Sequence, residues 1–214
     1  IYLPKGKLPS IGDLLINKDF ANMLKRIVKA ENNNKNNGRI AAIKAASDEF
    51  YRGSIANQIL EFLNNNPIQD ASGKINKSLL THEDISEWNA EIEDPLKYSY
   101  SELEIWKCSS WTQGPVFLQQ LSILKGFDLK SMEHNTPDYL HTLIESSKLA
   151  FADREAYYGD PKFDEVPFDV LLSDSYNDKR RNLITTKASK ELIPGEIPGT
   201  QYPEYIKKSV HDDN

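Results

Sequence analysis

The feature that most constrains the fold is a long helical pattern between Thr136 and Gly159. Thr136 suits the N-cap, Pro137 suits the first helical position because its missing N–H costs nothing there, and Asp138 suits the positive end of the helix dipole. Residues at three- and four-residue steps then define one stripe, which predicts a face that needs a covering layer. The stripe consists of Leu140, Leu143, Ile144, Ser147, Phe151, Arg154 and Tyr158.

The first third of the chain also carries helical patterns. A capping box at Ser10–Asp13 predicts the start of a helix over residues 11–29. The low-complexity run ENNNKNNG, residues 31–38, has nothing to bury and predicts a solvated loop. Two more helices are predicted from Ile40 to Tyr51 and from Ser54 through Leu63, so residues 1–66 form a helical segment.

The period changes once, between Ala90 and Cys108. Alternating apolar residues there predict two strands that turn near Ser101-Glu102, the one strand pair that the sequence predicts.

Helices flank these strands on both sides. Thr81 and Asp84 fit a capping box for a short helix before the strands. After them, Val116 to Lys125 predicts a helix that Gly126 ends in a left-handed conformation. Residues 79–129 therefore comprise a capped helix, a strand pair and a helix.

The rest of the chain has two parts. Phe168 to Ile184 predicts one or two further amphipathic helices, so residues 136–184 hold the long helix and its successors. Residues 185–214 are rich in Pro and Gly and predict an extended tail. The fold class is thus a mostly helical α+β one, and residues 1–214 are interpreted as part of a single domain.

Charge and composition exclude several classes of function. The formal net charge is -6 and the 26 Lys and Arg residues are scattered, which disfavours a nucleic-acid partner. No apolar run reaches the roughly 20 residues of a membrane span. Cys108, the single cysteine, is predicted to be a small buried side chain, and the four histidines lack metal-ligand spacing. No metal and no cofactor are expected.

Three short segments are candidates for catalytic or binding residues. Adjacent positions point about 100 degrees apart on a helix, so Asp153-Arg154-Glu155 cannot supply a paired acid and base, and surface or interhelix salt bridges are the better interpretation. The string Trp111–Pro115 precedes a helix and favours a loop that fixes the helix entry over an anion site. Thr185-Thr186 has no neighbouring base and is explained by a turn. No catalytic, substrate-binding or metal-binding residue is therefore assigned in this chain.

Two blocks of the sequence resemble the large-subunit signature of gamma-glutamyltranspeptidases, also called glutathione hydrolases. They are residues 111–129, WTQGPVFLQQLSILKGFDL, and the more specific residues 146–163, SSKLAFADREAYYGDPKF. Residues 2–15, YLPKGKLPSIGDLL, and 79–100, LLTHEDISEWNAEIEDPLKYSY, are similar to further family stretches in family order. The chain therefore resembles the C-terminal part of that large subunit.

This resemblance implies part of the αββα sandwich of an N-terminal nucleophile hydrolase, with chiefly outer helices and a peripheral strand pair in this chain. A family precursor cuts itself into two subunits, and the Thr that begins the small subunit becomes the nucleophile, with its own amino group as base. The Thr-Thr-His-like motif of that nucleophile is absent, because Thr185-Thr186 is followed by Lys187. The implied partners are this small subunit and a γ-glutamyl small molecule.

The family also uses a large-subunit Arg to hold the substrate α-carboxylate. That residue lies upstream of the region resembling Ile1, and none of the arginines matches it: 26, 39, 52, 154, 180 and 181. Residues 193–214 resemble the extended family segment that leads to the scissile bond, which places Asn214 at or within a few residues of the processing point.

Two alternatives stay open. The WTQGP form at 111–115 differs from the Ser-Ser-Gly-Gly-like string of many family members and is similar to acylase-like relatives, so an acylase or amidase with another acyl substrate is one alternative. A non-catalytic helical binding or structural module is the other. Family members are often periplasmic or secreted and some are cytoplasmic, so the resemblance implies no single compartment.

Overall fold

The structure, a computed structural model, describes residues 2–200, without the side chain of Lys5. The chain divides into two compact units, Ile1–Glu91 and Ile92–Asn214. No helix in the described part of the chain is long and apolar enough to cross a membrane.

The first unit is built mainly from helices that pack in sequence order. Its buried side chains come from α2 and α3 and include Ala42, Ile55, Ala56 and Leu60. Single 3-10 turns occur at Pro4–Gly6 and Lys35–Asn37. The elements are α1 (Lys18–Asn33), α2 (Arg39–Tyr51), α3 (Ser54–Asn65), β1 (Ile68–Gln69), β2 (Ile75–Asn76) and α4 (His82–Ser86).

The predicted start of α1 is wrong. Ser10 N–H does donate to Asp13 Oδ2 at 2.7 Å, but this contact closes a single turn instead of opening a helix. The helix begins seven residues later than predicted because Asn17 is its cap, accepting from Phe20 N–H at 3.0 Å. A capping contact satisfies one turn, whereas a helix also needs a face to pack, and Leu14 is exposed. The predictions of α2, α3 and the Thr81–Asp84 capping box are confirmed.

A second, smaller strand pair was not predicted. β1 and β2 pair antiparallel over only two residues each, too short to leave a period in the sequence. The hairpin is closed by Asp70, whose Oδ1 accepts from Ser72 N–H at 2.8 Å and from Lys74 N–H at 3.2 Å.

The second unit packs a β-hairpin and four helices. Its elements are β3 (Leu96–Tyr100), β4 (Leu103–Lys107), α5 (Gly114–Leu124), α6 (Pro137–Tyr157), α7 (Phe168–Leu171) and α8 (Asp174–Arg181). The predicted strand pair is confirmed, with Tyr98 opposite Ile105. Tyr98 is buried, and its hydroxyl donates to Asp174 Oδ1 at 2.8 Å, which ties the hairpin to α8.

The core of the second unit lies between α5 and α6. One buried cluster joins Val116, Ile123, Leu149 and Ala150, and Leu118 is fully buried beside it on α5. A second cluster consists of Ala156, Tyr157, Leu171, Tyr176 and Ile197. The helices of this unit thus bury their apolar faces partly against each other and partly against residues that follow α8.

The buried face of α6 differs from the predicted stripe. On this chain by itself Leu140, Ile144 and Phe151 are exposed. The buried positions carry mostly small or polar side chains: Thr142, Glu145, Ser146, Leu149, Ala150, Ala152, Asp153, Ala156 and Tyr157. A search for large apolar residues therefore selects the wrong face of this helix.

Two further predictions are wrong. Gly126 follows α5 without a left-handed conformation, and a Cβ there would lie 2.3 Å from the Arg181 guanidinium carbon. Space for Arg181, which donates from Nε to Ile123 O at 2.7 Å, explains this glycine. Cys108 is exposed because it lies just beyond the end of β4 instead of inside the hairpin.

We expect Leu118→Ala to lower the free energy of unfolding by about 2–5 kcal/mol, because it opens a cavity among α5 and α6. Urea unfolding followed by circular dichroism measures the loss. Leu103→Ala is the matched control, since Leu103 is 64% exposed and its truncation opens no cavity. Equal losses for the two variants would contradict this placement of the core.

Candidate functional site

Helix α6 carries a row of hydrogen-bonding side chains at four-residue spacing. The row consists of His141, Glu145, Asp153 and Tyr157, with Leu149 filling the intervening position. Each four-residue step turns about 40 degrees around the helix, so the row winds slowly along α6, and all four side chains contact the same neighbour. That neighbour is the part of the chain after α8, residues 185–200, which has neither helix nor strand and is called the tail segment below.

The first half of the tail segment is held at three points. His141 Nε2 donates to Thr185 O at 2.7 Å, and Glu145 Oε2 accepts from Ser189 N–H at 3.2 Å. Lys148 bonds both to Glu145 Oε1, at 2.6 Å, and to Ser189 O. Burial disfavours the charge on Glu145, but the bonds from Lys148 and Ser189 N–H outweigh burial and lower its pKa. The carboxylate is therefore charged at neutral pH and keeps its hold on the tail segment.

The second half of the tail segment is held by Asp153, which is fully buried. Its Oδ1 accepts from Gly195 N–H at 2.7 Å, and its Oδ2 accepts from Gln119 Nε2 at 2.6 Å. Arg180 of α8, only 3% exposed, forms a fork with both oxygens: Nε lies 3.1 Å from Oδ2 and Nη2 lies 3.0 Å from Oδ1. The carboxylate thus joins α5, α6, α8 and the tail segment at one point.

Arg180 also reaches the tail segment directly. Its Nη2 donates to Ile193 O and, at 3.2 Å, to Leu149 O on α6. The Tyr157 hydroxyl donates to Gly195 O. Ile193 is therefore fixed through its carbonyl group, and Gly195 through both its N–H and its carbonyl group.

The pair of Asp153 and Arg180 lies where unpaired charges are costly. Burial raises the pKa of Asp153 above the usual range of a carboxyl group, although Arg180, Gly195 N–H and the Gln119 amide favour the charged form. Two charges in such a place are tolerated only when hydrogen bonds satisfy both partners. The tail segment supplies one hydrogen-bond partner to each member of the pair: Gly195 N–H to Asp153 and Ile193 O to Arg180.

Apolar packing adds further contacts to the tail segment, and Leu192 packs against the same cluster as Ile197. Ile197 is buried in the cluster with Tyr157, Leu171 and Tyr176. Next to it an open pocket of about 730 Å³ lies between α8 and residues 193–200. Because one face of the segment borders this pocket, the polar contacts carry much of its attachment.

The candidates from the sequence are distributed as follows. Asp153 forms an interhelix salt bridge, as predicted for its string, whereas Arg154 and Glu155 pair with each other at the partly exposed side. Arg180, the partner of Asp153, was not singled out. Its position in the basic end of α8, between Lys179 and Arg181, is equally typical of a helix C-terminus, so the sequence gives no signal that this cation is buried.

The string Trp111–Pro115 lies at the entry of α5. Thr112 Oγ1 accepts from Gly114 N–H at 3.0 Å, and Trp111 Nε1 donates to Glu93 Oε1 at 2.7 Å. These contacts are those of a loop that fixes the start of a helix, as predicted.

Other predicted positions add no catalytic group. Thr185 Oγ1 accepts from Lys187 N–H at 3.2 Å and closes a turn. Within residues 2–200 no group of three His, Cys, Asp or Glu side chains could hold a metal ion. Asn214, the predicted neighbour of a processing point, lies outside the described residues.

Comparison with known proteins identifies relatives of the whole chain. Residues 1–212 match the model of a family described as Gamma-glutamyltranspeptidase. The glutathione hydrolase proenzyme of Escherichia coli (strain K12) is 29% identical over 216 residues, which are 99% of this chain and 33% of that protein. The chain therefore spans about a third of the length of the curated relatives that it matches.

Solved structures agree with this match. The structure described as "Structure of LmbA2991T421A" has a TM-score of 0.83 at 38% identity, covering 98% of this chain and 35% of that one. The cephalosporin acylase from Bacillus halodurans has a TM-score of 0.64 at 30% identity, over 86% of this chain and 29% of its own. The predicted fold class is confirmed: a mostly helical α+β part of an N-terminal nucleophile hydrolase.

Removing one partner of the buried pair should make stability depend on pH. Arg180→Met leaves Asp153 without its counter-charge, so the pKa of Asp153 rises further. The folded variant then holds a proton that the unfolded chain releases above about pH 3.9. Its stability is greatest below that pH and is lost as the pH rises through the raised pKa. We expect a loss of about 3–5 kcal/mol near neutral pH and a smaller loss at about pH 4.5, each relative to wild type in urea unfolding.

The double variant Asp153→Asn/Arg180→Met is the control, because it removes the titrating carboxyl together with its partner. Its loss relative to wild type should vary less between the two pH values. If Arg180→Met lost the same free energy at both, Asp153 would not be a buried group paired with Arg180.

Proposed function

This chain belongs to the gamma-glutamyltranspeptidase family, and we propose that it supplies part of the large subunit of an enzyme acting on γ-glutamyl amides. The substrates are glutathione and related amides, whose γ-glutamyl group is hydrolysed or transferred. The observation that carries the proposal is the family match over residues 1–212 combined with a tail segment fastened along α6. In the family, such a segment leads to the bond that is cut to free the nucleophile.

The chemistry belongs to a Thr at the start of the small subunit. Its hydroxyl oxygen attacks the γ-carbonyl carbon of the substrate, and its own α-amino group takes the hydroxyl proton. The amide C–N bond then breaks, the proton passes to the leaving amine, and a γ-glutamyl ester remains on the Thr. Attack by water on this ester yields glutamate, whereas attack by an amine yields a new γ-glutamyl amide, and either restores the Thr.

The role of the present chain is structural support for that site. In the second unit α5, α6 and α8 close the core, with Asp153 and Arg180 at the point where they meet. The Arg that holds the substrate α-carboxylate is expected upstream of this sequence. The chain alone is therefore expected to be inactive.

The proposed partner is a small subunit released from the same precursor. Support comes from the word proenzyme in the names of the relatives from Escherichia coli (strain K12) and others. A large exposed apolar surface is also consistent with a covering layer, since Leu140, Ile144 and Phe151 are exposed on this chain by itself. A γ-glutamyl small molecule is the other proposed partner.

An acylase with another acyl substrate is the second candidate. The observation that favours it is that a cephalosporin acylase is among the solved structures similar to this chain, at 30% identity. A helical module that only binds or packs is the third candidate.

We expect the full-length precursor, once expressed, to yield two bands on a denaturing gel. N-terminal sequencing of the smaller band should begin with Thr, a few residues at most beyond Asn214, because residues 193–214 resemble the segment before the scissile bond. The processed protein should then turn over a chromogenic γ-glutamyl anilide.

The three candidates separate on these readouts. Processing without turnover of the anilide, but with turnover of another acyl amide, favours the acylase. A single uncut band without activity favours the non-catalytic module. A smaller band that begins with a residue other than Thr contradicts the proposed nucleophile.

A further inference from the structure

We propose that Asp153 and Arg180 are positioning residues for self-cleavage: they fasten the tail segment to α6 and thereby set how fast the precursor is cut. This inference rests on the proposed function, since it assigns residues to the processing step of that enzyme. Neither side chain takes part in bond making, and both act through the path of the chain that leads to the scissile bond.

The hydrogen bonds that α6 and α8 make to the tail segment go to its main-chain atoms. Arg180 donates to Ile193 O, Asp153 accepts from Gly195 N–H, and Tyr157 donates to Gly195 O. Nearer α8, Ser189 is held by its N–H and its carbonyl. Contacts to the main chain fix its position and register whatever side chains it carries. A shift of one residue would break all of them together.

Docking of the tail segment and burial of the charges depend on each other. If residues 193–195 left α6, Asp153 would lose an N–H donor and Arg180 would lose a carbonyl acceptor, each in a buried place. A buried polar group that loses its hydrogen-bond partner is unfavourable. The pair therefore favours one docked arrangement strongly over a partly released one.

The effect on cleavage follows from the length of chain that must be brought to the site. Thr200, the last described residue, is about 14 residues from Asn214, whereas Ile184, before the tail segment, is about 30 residues away. The effective concentration of a tethered group falls roughly as the −3/2 power of tether length. Release of the tail segment should therefore slow cleavage about threefold, and more if the direction of the chain also matters.

Self-cleavage of the precursor needs no reagent other than water. The Thr hydroxyl oxygen attacks the preceding carbonyl carbon, the peptide C–N bond breaks, and the hydroxyl proton moves to the nitrogen that becomes the free amine. Water then hydrolyses the resulting ester, which frees the Thr hydroxyl and leaves a carboxylate at the end of the large subunit. Asp153 and Arg180 exchange no proton in either step.

The sharpest variant is Gly195→Ala in the full-length precursor. A Cβ at Gly195 would lie 2.2 Å from Tyr176 Oη and 2.8 Å from Arg180 Cδ, so the added methyl forces the tail segment and these two side chains apart. Glu196→Ala is the matched control, because Glu196 is the exposed neighbouring residue. Processing is followed by quenched samples on denaturing gels, and the half-time is compared with that of wild type.

Asp153→Asn is the second variant, and Leu118→Ala is the control for lost stability, since Leu118 is a fully buried apolar residue of the same unit and takes no part in the hydrogen bonds to the tail segment. We expect Gly195→Ala and Asp153→Asn each to lengthen the half-time about threefold or more. The double variant should be little slower than the slower single one, because both release the same segment. Glu196→Ala and Leu118→Ala should process within twofold of wild type.

A second readout separates positioning from general damage. Once processing is complete, kcat for the γ-glutamyl anilide should fall by a smaller factor than the processing rate did, whereas a merely structural defect lowers both alike. Half-times of the two variants within twofold of wild type, or equal losses in processing and kcat, would overturn the inference. A wild-type precursor that is never cut would instead refute the proposed function, so the two failures are distinct.

Discussion

The packing of the second unit depends on one buried ion pair, because two charges removed from water are costly unless their hydrogen bonds are satisfied. Asp153 and Arg180 are both buried, and such a pair is stable only if the surrounding groups satisfy the hydrogen bonds that the pair does not use internally. Helix α5 contributes the Gln119 amide, α6 the carbonyl of Leu149, and the tail segment the N–H of Gly195. The hydrogen bonds that this ion pair requires therefore fix the positions of α5, α6, α8 and the tail segment.

That need explains why the interior face of α6 has an unusual composition. A face that meets both a helix and an extended chain requires small residues, such as Ala150 and Ala152, where α6 packs closely, and hydrogen-bonding side chains where main-chain groups lie opposite. The large apolar residues of α6 are left for the other side. Hydrophobic periodicity identifies the most apolar face of a helix. For α6 this face is solvent-exposed on the chain by itself.

Local chemistry accounts for what the sequence could predict. The caps at Thr81 and Thr136 and the alternation around Tyr98 each depend on residues within one element, and each was found in place. The pairing of Asp153 with Arg180 joins residues 27 positions apart, and neither has a local feature that distinguishes it from an ordinary surface charge. The predicted start of α1 was wrong for a related reason. The capping contact at Ser10 is local and does not show whether the next turn packs against another element.

The way α6 grips the tail segment has a consequence for how this region can diverge among relatives. Since α6 and α8 bind the carbonyl and N–H groups of residues 185–195, drift in the exposed side chains of the segment is nearly free, whereas a change on these two helices is not. Gly195 and Ile197 are exceptions, because Tyr176 and Arg180 leave no room for a side chain at Gly195 and Ile197 is buried in the cluster with Tyr157. Selection should therefore fall on the row of His141, Glu145, Asp153 and Tyr157 and on these two positions, so two relatives whose tails differ elsewhere can still hold them along the same path.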